Sequence, residues 1–205
     1  AAAAAGGFTS VVMMANTKPV PDHADTLRYI LEKGKDTRIH VYACGAVTEN
    51  LEGVRLTDLE ELRAAGAVGF TDDGKPLMDE ELVREAMKKC RELEVPISFH
   101  EEDPAYIAES GVNAGKIAGE SGLTGADRRA EISLIERDIR LAKETGACVN
   151  IQHISTKEGV ELVRKAKAEG VDIHAEATPH HFTLTESAVL QYGTLAKMNP
   201  PLRTE

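Results

Sequence analysis

Short apolar runs, rich in β-branched residues, alternate along the chain with longer amphipathic segments. Each run is typical of a buried strand, and each segment has the apolar spacing of three to four residues that indicates a helix. The runs predict six strands, at residues 8–14, 39–44, 67–71, 95–99, 147–151 and 171–175. The segments between them predict helices at residues 24–33, 57–66, 79–93, 127–144 and 155–170.

Several helix ends carry local signals of their own. The glycine pair at residues 6–7 follows an alanine-rich start and is typical of the end of a short helix. Thr57 with Glu60, and Ser155 with Glu158, have the spacing of a capping box. In that motif the two side chains satisfy each other's free backbone N–H groups, so both pairs predict the start of a helix.

The regular alternation of strand and helix predicts a parallel α/β sheet, because right-handed crossovers place successive strands side by side. A doubly wound open sheet and a (β/α)8 barrel both fit this order. The nucleotide-binding patterns G-x-G-x-x-G and G-x-x-x-x-G-K-[ST] do not occur in the sequence, so the usual loops of open sheets are missing. Residues 101–124 interrupt the alternation as a long polar loop, a kind of segment that often carries function. Residues 1–205 are expected to form one domain.

Composition narrows the classes of function. The 205 residues include 24 Lys+Arg and 34 Asp+Glu, which gives a formal net charge of −10. This acidic surplus argues against nucleic acid or an anionic membrane as a partner. No apolar run reaches the roughly 20 residues of a membrane span, and the start lacks the basic segment of a signal peptide. Cys44, Cys90 and Cys148 lie far apart, which predicts buried thiols in a reducing compartment, the cytoplasm.

Polar side chains follow three successive strands at the point where each strand ends. Asp72 and Asp73 follow the third strand, His100 the fourth and His153 the fifth. In a parallel barrel these ends open onto one mouth. One carboxylate and two imidazoles are sufficient protein ligands for a catalytic zinc ion, which keeps its fourth position open. Asp73, His100 and His153 are therefore a candidate metal site.

Each of these residues also has a purely structural interpretation. A lone histidine at a strand end is more often hydrogen-bonded than metal-ligating, and residues 72–74 (DDG) are typical of a turn before a helix. Because the pattern recurs at three strand ends, the two interpretations carry equal weight before any family is considered. Among the other histidines, His40 is interpreted as structural and His23 as solvated, whereas His180 and His181 are either local packing residues or ligands.

Six motifs in chain order match one known family. They are residues 14–22 (MANTKPVPD), 70–74 (FTDDG), 100–102 (HEE), 152–156 (QHIST), 176–181 (EATPHH) and 198–203 (MNPPLR). On these motifs the chain resembles the class I dihydroorotases of the amidohydrolase superfamily. The hydantoinase and allantoinase branches usually carry a carboxylated lysine at the third strand end. No lysine stands there in this chain, which favours the dihydroorotase branch.

The resemblance implies a TIM-type (β/α)8 barrel of the metal-dependent hydrolase kind, with one or two zinc ions at its mouth. It also implies a cyclic amide hydrolase that interconverts N-carbamoyl-L-aspartate and L-dihydroorotate in pyrimidine biosynthesis. The site residues that it implies are Asp73 (with Asp72 as the alternate), His100 and His153 for the metal, and Asn16 and Asn199 for the substrate carboxylate and ring.

Two parts of the family pattern are missing from the sequence. The His-x-His-x-x-Arg motif that ends strand one is absent, and the general-base aspartate of strand eight is expected beyond residue 205. The six strands then correspond to strands 2–7 of the barrel, and the chain is expected to be a central piece of a longer one. These 205 residues alone are expected to show little or no dihydroorotase activity.

Two other functions remain open at this point. A hydantoinase-like cyclic amidase would use the same metal site on a different ring. A non-catalytic scaffold would serve as a partner of aspartate transcarbamoylase, as some dihydroorotase-like chains do, although a pure scaffold has no need of three converging ligands. A homodimer is the remaining class of partner.

Overall fold

The computed structural model of the protein describes residues 2–205 and contains the six predicted strands. The strands are β1 (Ser10–Met13), β2 (His40–Ala43), β3 (Phe70–Thr71), β4 (Ile97–Phe99), β5 (Val149–Ile151) and β6 (Ile173–Ala175). All are shorter than the runs that predicted them, mainly at their amino ends. No helix among residues 2–205 is long and apolar enough to cross a membrane.

The helices alternate with these strands as the sequence pattern predicts. They are α1 (Ala2–Ala5), α2 (Ala24–Gly34), α3 (Leu59–Ala65), α4 (Glu80–Glu92), α5 (Lys116–Glu120), α6 (Arg129–Thr145), α7 (Lys157–Ala168), α8 (Pro179–Thr183) and α9 (Ala188–Tyr192). The segment of residues 101–124, predicted as a long polar loop, is not wholly irregular. That segment contains α5 and a 3-10 turn at Pro104–Tyr106, which Asp103 begins by accepting a hydrogen bond from the N–H of Ala105 at 2.9 Å.

The strands begin later than predicted because the residues before them form the ends of the preceding helices. The N–H groups of Phe8, Ala67, Val95 and Val171 each donate to the carbonyl five residues earlier, over 3.0–3.1 Å. The residue before each has a positive φ; these are Gly7, Gly66, Glu94 and Gly170. This is the Schellman arrangement, which closes a helix by satisfying its last carbonyls. The first predicted strand residue therefore belongs to the helix end in four cases.

At both predicted capping boxes the helix cap is the next residue along the chain. At α3 the cap is Asp58, whose carboxylate accepts from a backbone N–H in the first turn, while the Thr57 hydroxyl donates to backbone carbonyls of an earlier loop. At α7 the cap is Thr156, because the Ser155 hydroxyl donates to the Glu131 carboxylate instead. In each case a tertiary partner takes the hydroxyl that the local motif would have used.

The chain divides into two compact units, the first of which contains residues up to Phe99 together with Thr145–Val149. In this first unit β1 and β2 are parallel over all four residues, and β3 is parallel to β4. A parallel bridge joins Gly45, which follows β2, to Phe70 in β3. The N–H of Ile97 in β4 donates to the carbonyl of Cys148 at 3.0 Å. Successive strands thus pair in chain order, as βα repeats require.

The second unit contains His100–Glu144 and Asn150–Glu205. The end of β5 pairs with β6, since the N–H of Glu176 donates to Ile151 at 3.0 Å and the N–H of Ile154 donates back to Glu176 at 2.8 Å. A separate apolar cluster packs the segment of residues 112–123 against residues 188–202. Its buried members are Val112, Ala118, Ala188, Val189, Ala196 and Leu202.

Burial differs from the prediction at the first strand and at one cysteine. The run at residues 8–14 is one of the apolar runs that predicted a buried strand, but Phe8 is 63% and Val12 49% exposed. Among residues 2–205, β1 has a ladder partner on one side only. Cys44 and Cys90 are buried as predicted, whereas Cys148 is half-buried. Burial raises the pKa of the Cys90 thiol to about 12.

Candidate functional site

His100 and His153 lie at the ends of two neighbouring strands, β4 and β5, and their rings meet. Nδ1 of His100 is 2.8 Å from Nε2 of His153, and the two ring planes are nearly perpendicular, at 82°. His100 is buried and His153 is half-buried. Because the carboxyl ends of parallel strands lie side by side, residues 53 positions apart in the sequence come into contact.

Glu102 fixes the orientation of His100. Its carboxylate oxygen Oε2 lies 3.0 Å from Nε2 of His100, and both side chains are buried. A carboxylate can only accept, so Nε2 of His100 carries the proton and its Nδ1 presents a lone pair toward His153. A histidine held in this way by a carboxylate is the usual outer arrangement of a metal-ligating imidazole. Two imidazole nitrogens oriented together fit zinc and similar transition metals.

The two aspartates that follow β3 in the first unit have different surroundings. Asp72 is buried, and its Oδ1 accepts from the N–H groups of Val47 at 2.7 Å and Thr48 at 3.1 Å. The Thr48 hydroxyl also donates to Asp72. Burial raises the pKa of Asp72, and these hydrogen bonds oppose the rise. Asp72 therefore anchors a loop, which leaves Asp73 as the better candidate for a ligand.

Asp73 is half-buried and accepts a hydrogen bond from a predicted substrate-binding residue. Nδ2 of Asn16 donates to its Oδ2 at 2.8 Å. The amide nitrogen of an asparagine has two hydrogens, so one hydrogen of Asn16 remains for another acceptor. The first unit thus brings together a predicted metal ligand and a predicted substrate contact, although the roles of both stay predictions.

Asn199 is exposed at the end of the second unit. Its Oδ1 accepts a hydrogen bond from the Ser110 hydroxyl at 3.0 Å. Ser110 belongs to the polar segment of residues 101–124, and Lys197 binds Glu109 of the same segment over 3.1 Å. These contacts turn the amide nitrogen of Asn199 away from Ser110 and leave it able to donate to a ligand.

Of the neighbouring histidines His180 and His181, the second is held by contacts to both of its ring nitrogens. Nδ1 of His181 lies 2.7 Å from the Thr178 hydroxyl, and its Nε2 lies 2.8 Å from the carbonyl of Pro200. Since a carbonyl only accepts, Nε2 carries the proton and Nδ1 accepts from Thr178. Burial lowers the pKa of His181, which keeps the ring neutral. Both ring nitrogens are engaged, so the packing interpretation is favoured over ligation for His181.

A buried group of charges next to His100 was missed by sequence reasoning. Glu101 is 2% exposed and Asp138 is fully buried. Arg137 donates to Asp138 through Nε at 2.7 Å and through Nη2 at 3.1 Å. The sequence position of Asp138 could have indicated its burial, because it lies on the apolar face of α6, three residues after Ile135 and four before Ala142.

The pKa of Glu101 is raised well above its ordinary range. Its burial is the main cause, and the carboxylates of Asp138 and Glu131 act in the same direction, whereas Arg137 opposes them. The folded chain therefore holds a proton on Glu101 that the unfolded chain, with a pKa of about 4.3, gives up. The resulting stability is complete below about pH 4.3 and is lost as the pH rises through the folded pKa.

The unfolding free energy of the wild type should fall as the pH rises from about 5 to about 8. We expect that of a Glu101→Gln chain to fall less over the same range, because glutamine has no proton to release. Urea unfolding of the metal-free chain at the two pH values measures this difference. Glu136→Gln, an exposed glutamate on helix α6, is the control and should keep the wild-type dependence. Parallel curves for Glu101→Gln and the wild type would contradict the prediction.

Comparisons with known proteins identify a family and several relatives for this chain. Residues 1–159 match a family model described as Dihydro-orotase-like. The dihydroorotase of Clostridioides difficile is 56% identical over 203 residues, which are 99% of this chain and 48% of that protein. The dihydroorotase of Clostridium acetobutylicum is 54% identical over 204 residues, with the same 48% of its length covered. The chain thus spans about half the length of the curated relatives it matches.

The fold is shared with solved hydantoinases. An L-hydantoinase from Arthrobacter aurescens superposes with a TM-score of 0.80 at 25% identity, over 98% of this chain and 46% of that one. A D-hydantoinase superposes with a TM-score of 0.75 at 22% identity, over 99% of this chain and 47% of that one. With the parallel strands in chain order, these likenesses confirm the prediction of part of a TIM-type (β/α) barrel.

Proposed function

We propose a function for this chain from one premise: the chain belongs to the dihydro-orotase-like family. The complete protein is a cyclic amide hydrolase that interconverts N-carbamoyl-L-aspartate and L-dihydroorotate in the pyrimidine biosynthesis of the cytoplasm. The observation that carries the proposal is the pair of imidazole nitrogens 2.8 Å apart, of which the His100 ring is oriented by Glu102. A histidine that donates one ring N–H to a carboxylate and turns its other nitrogen toward a second imidazole has the arrangement typical of a metal ligand.

The metal is zinc, and its ligands are Asp73, His100 and His153. The donor set supports this choice, because imidazole nitrogens with one carboxylate oxygen are typical of catalytic zinc. Asp73 is chosen over Asp72 because hydrogen bonds to the backbone of residues 47–48 already engage Asp72. When bound, zinc polarises a carbonyl group and lowers the pKa of water.

The residues of the chain itself position the substrate. Asn16 has one amide hydrogen beyond the one that it donates to Asp73, and this hydrogen is available to a substrate carboxylate. Asn199, with its oxygen held by Ser110, can donate from its amide nitrogen to an oxygen of the ring. No residue among the 205 is assigned as the general base.

A hydantoinase-like amidase is the second candidate, because the L-hydantoinase of Arthrobacter aurescens has the same fold. Dihydroorotate is preferred as substrate because the relatives of higher identity are dihydroorotases. The scaffold alternative is disfavoured by the His100 and His153 pair and its carboxylate Glu102, which a scaffold would not need. A homodimer or an aspartate transcarbamoylase partner stays a prediction.

The test compares two substrates and two lengths of protein. The longest natural open reading frame that contains these residues, loaded with zinc, should hydrolyse dihydroorotate faster than hydantoin. The 205 residues alone should be slower by at least about 10²–10⁴-fold, the usual contribution of a general acid or base. Faster turnover of hydantoin would contradict the substrate, and full activity of the 205 residues would contradict the assignment of the base elsewhere.

A further inference from the structure

His153 has a backbone conformation that is unusual for a residue other than glycine. Its φ is +36°, in the left-handed region that side chains with a Cβ rarely adopt. Such a conformation persists only where surrounding contacts hold it, and it is typical of functional positions. The direction of the imidazole depends on this backbone, so whatever holds residues 153–156 also places Nε2 of His153 beside His100.

A single buried carboxylate, Glu131 of α6, holds the turn that follows His153. Its Oε1 accepts from the N–H of Thr156 at 2.8 Å and from the Thr156 hydroxyl at 2.6 Å. Its Oε2 accepts from the N–H of Ser155 at 3.0 Å and from the Ser155 hydroxyl. Glu131 is 2% exposed, and four donors from two consecutive residues converge on it. Charge-assisted bonds of this kind are roughly twice as strong as neutral ones.

Other contacts keep the turn in the same place. The N–H of Ile154 donates to the carbonyl of Glu176 at 2.8 Å, which ties the turn to the end of β6. Nε of Arg203 donates to the Ser155 hydroxyl at 3.1 Å. At Gly159 in α7, an added Cβ would lie 3.0 Å from Oε1 of Glu131, so the glycine allows the helix to approach the carboxylate closely.

We propose that Glu131 is a positioning residue for the metal site, acting through the backbone of residues 153–156 to direct His153 toward His100. This inference rests on the proposed function, since the metal-binding role of His153 is part of it. The negative charge and the double acceptor are both required. All four groups that face Glu131 are donors, and the amide of a glutamine would place its own N–H groups against two of them.

The test uses the 205-residue chain and zinc or cobalt ions as probes. Glu131→Gln should bind zinc about 10–100-fold more weakly than the wild type in competition with a chelator, the range found for outer-shell partners of metal ligands. The visible absorption of bound Co²⁺ should also change, because it reports the geometry of the ligands. Glu136→Gln, an exposed glutamate of the same helix α6, should match the wild type in both measurements.

The outcomes separate the inference from the function on which it rests. If the wild type binds zinc and Glu131→Gln binds it equally well, with an unchanged cobalt spectrum and only a lower urea midpoint, Glu131 is merely structural and the inference is wrong. If the wild type binds no zinc, the proposed metal site itself fails. If Glu131→Gln does not fold, Ser155→Ala is the variant to test, because it removes one hydroxyl donor to Glu131 and keeps the backbone donors. Its zinc affinity should fall by a smaller factor, and wild-type affinity would overturn the inference.

Discussion

A His153→Ala chain is expected to bind zinc more than about 100-fold more weakly than the wild type. The loss of an outer-shell partner already costs about 10–100-fold in metal affinity, and His153 is proposed as a direct ligand. Without it, Nδ1 of His100 is the one imidazole nitrogen left in the proposed ligand set, although Glu102 still holds that ring in the same orientation. The measurement is competition of the purified chain with a chelator, together with the zinc content per chain after dialysis.

The control for this experiment is a histidine of similar chemistry in a different setting. His40 is exposed on β2, where its ring stacks with that of Tyr42 at a centroid distance of 6.5 Å. His40→Ala should therefore keep the zinc affinity of the wild type. Circular dichroism of both variants establishes that the fold is retained. A His153→Ala chain that still holds zinc with wild-type affinity would remove His153 from the ligand set.

An Arg137→Met chain is expected to lose about 3–5 kcal/mol of unfolding free energy, the usual cost of removing one partner of a buried ion pair. Arg137 is the partner that donates two hydrogen bonds to Asp138, and the side chains are 10% and 0% exposed. Its removal leaves Asp138 as a buried charge beside Glu101, whose protonation the same arginine opposes.

The matched control is an arginine of the same helix whose ion pair is exposed. Arg140 lies 3.3 Å from Glu144 one turn later in α6, and both side chains are more than 40% exposed. Arg140→Met should cost only about 0.3–0.5 kcal/mol, as exposed helix pairs do. Urea unfolding at neutral pH measures both variants. Equal losses for the two substitutions would contradict the buried-pair account of Arg137.

Local patterns were sufficient for the order of elements because helices and their ends depend on nearby residues. The apolar spacing that predicted α4 is accompanied by Asp79 as its cap, which accepts from the N–H groups of Glu81 and Leu82. The glycine pair at residues 6–7 closes α1 as expected. Where a tertiary partner competed for a local group, as at Thr57 and Ser155, the local prediction was wrong by one residue.

The candidate site could be predicted only in part. Recurrence of histidines at strand ends indicated that His100 and His153 would meet, because parallel strands end on the same side. Glu102 was visible in its motif, but its contact with His100 depends on how a loop folds back. The ligand roles themselves remain predictions that the zinc experiments test.

The sequence by itself determined the family, the six strands with their intervening helices, and which residue types follow each strand. Tertiary structure alone decided which of two adjacent aspartates is engaged by the backbone of residues 47–48, and which buried glutamate holds the turn after His153. The physical reason is that periodicity and capping act over a few neighbouring residues. A buried carboxylate instead takes its donors from wherever the fold places them, and for Glu131 these lie 24 and 25 residues away.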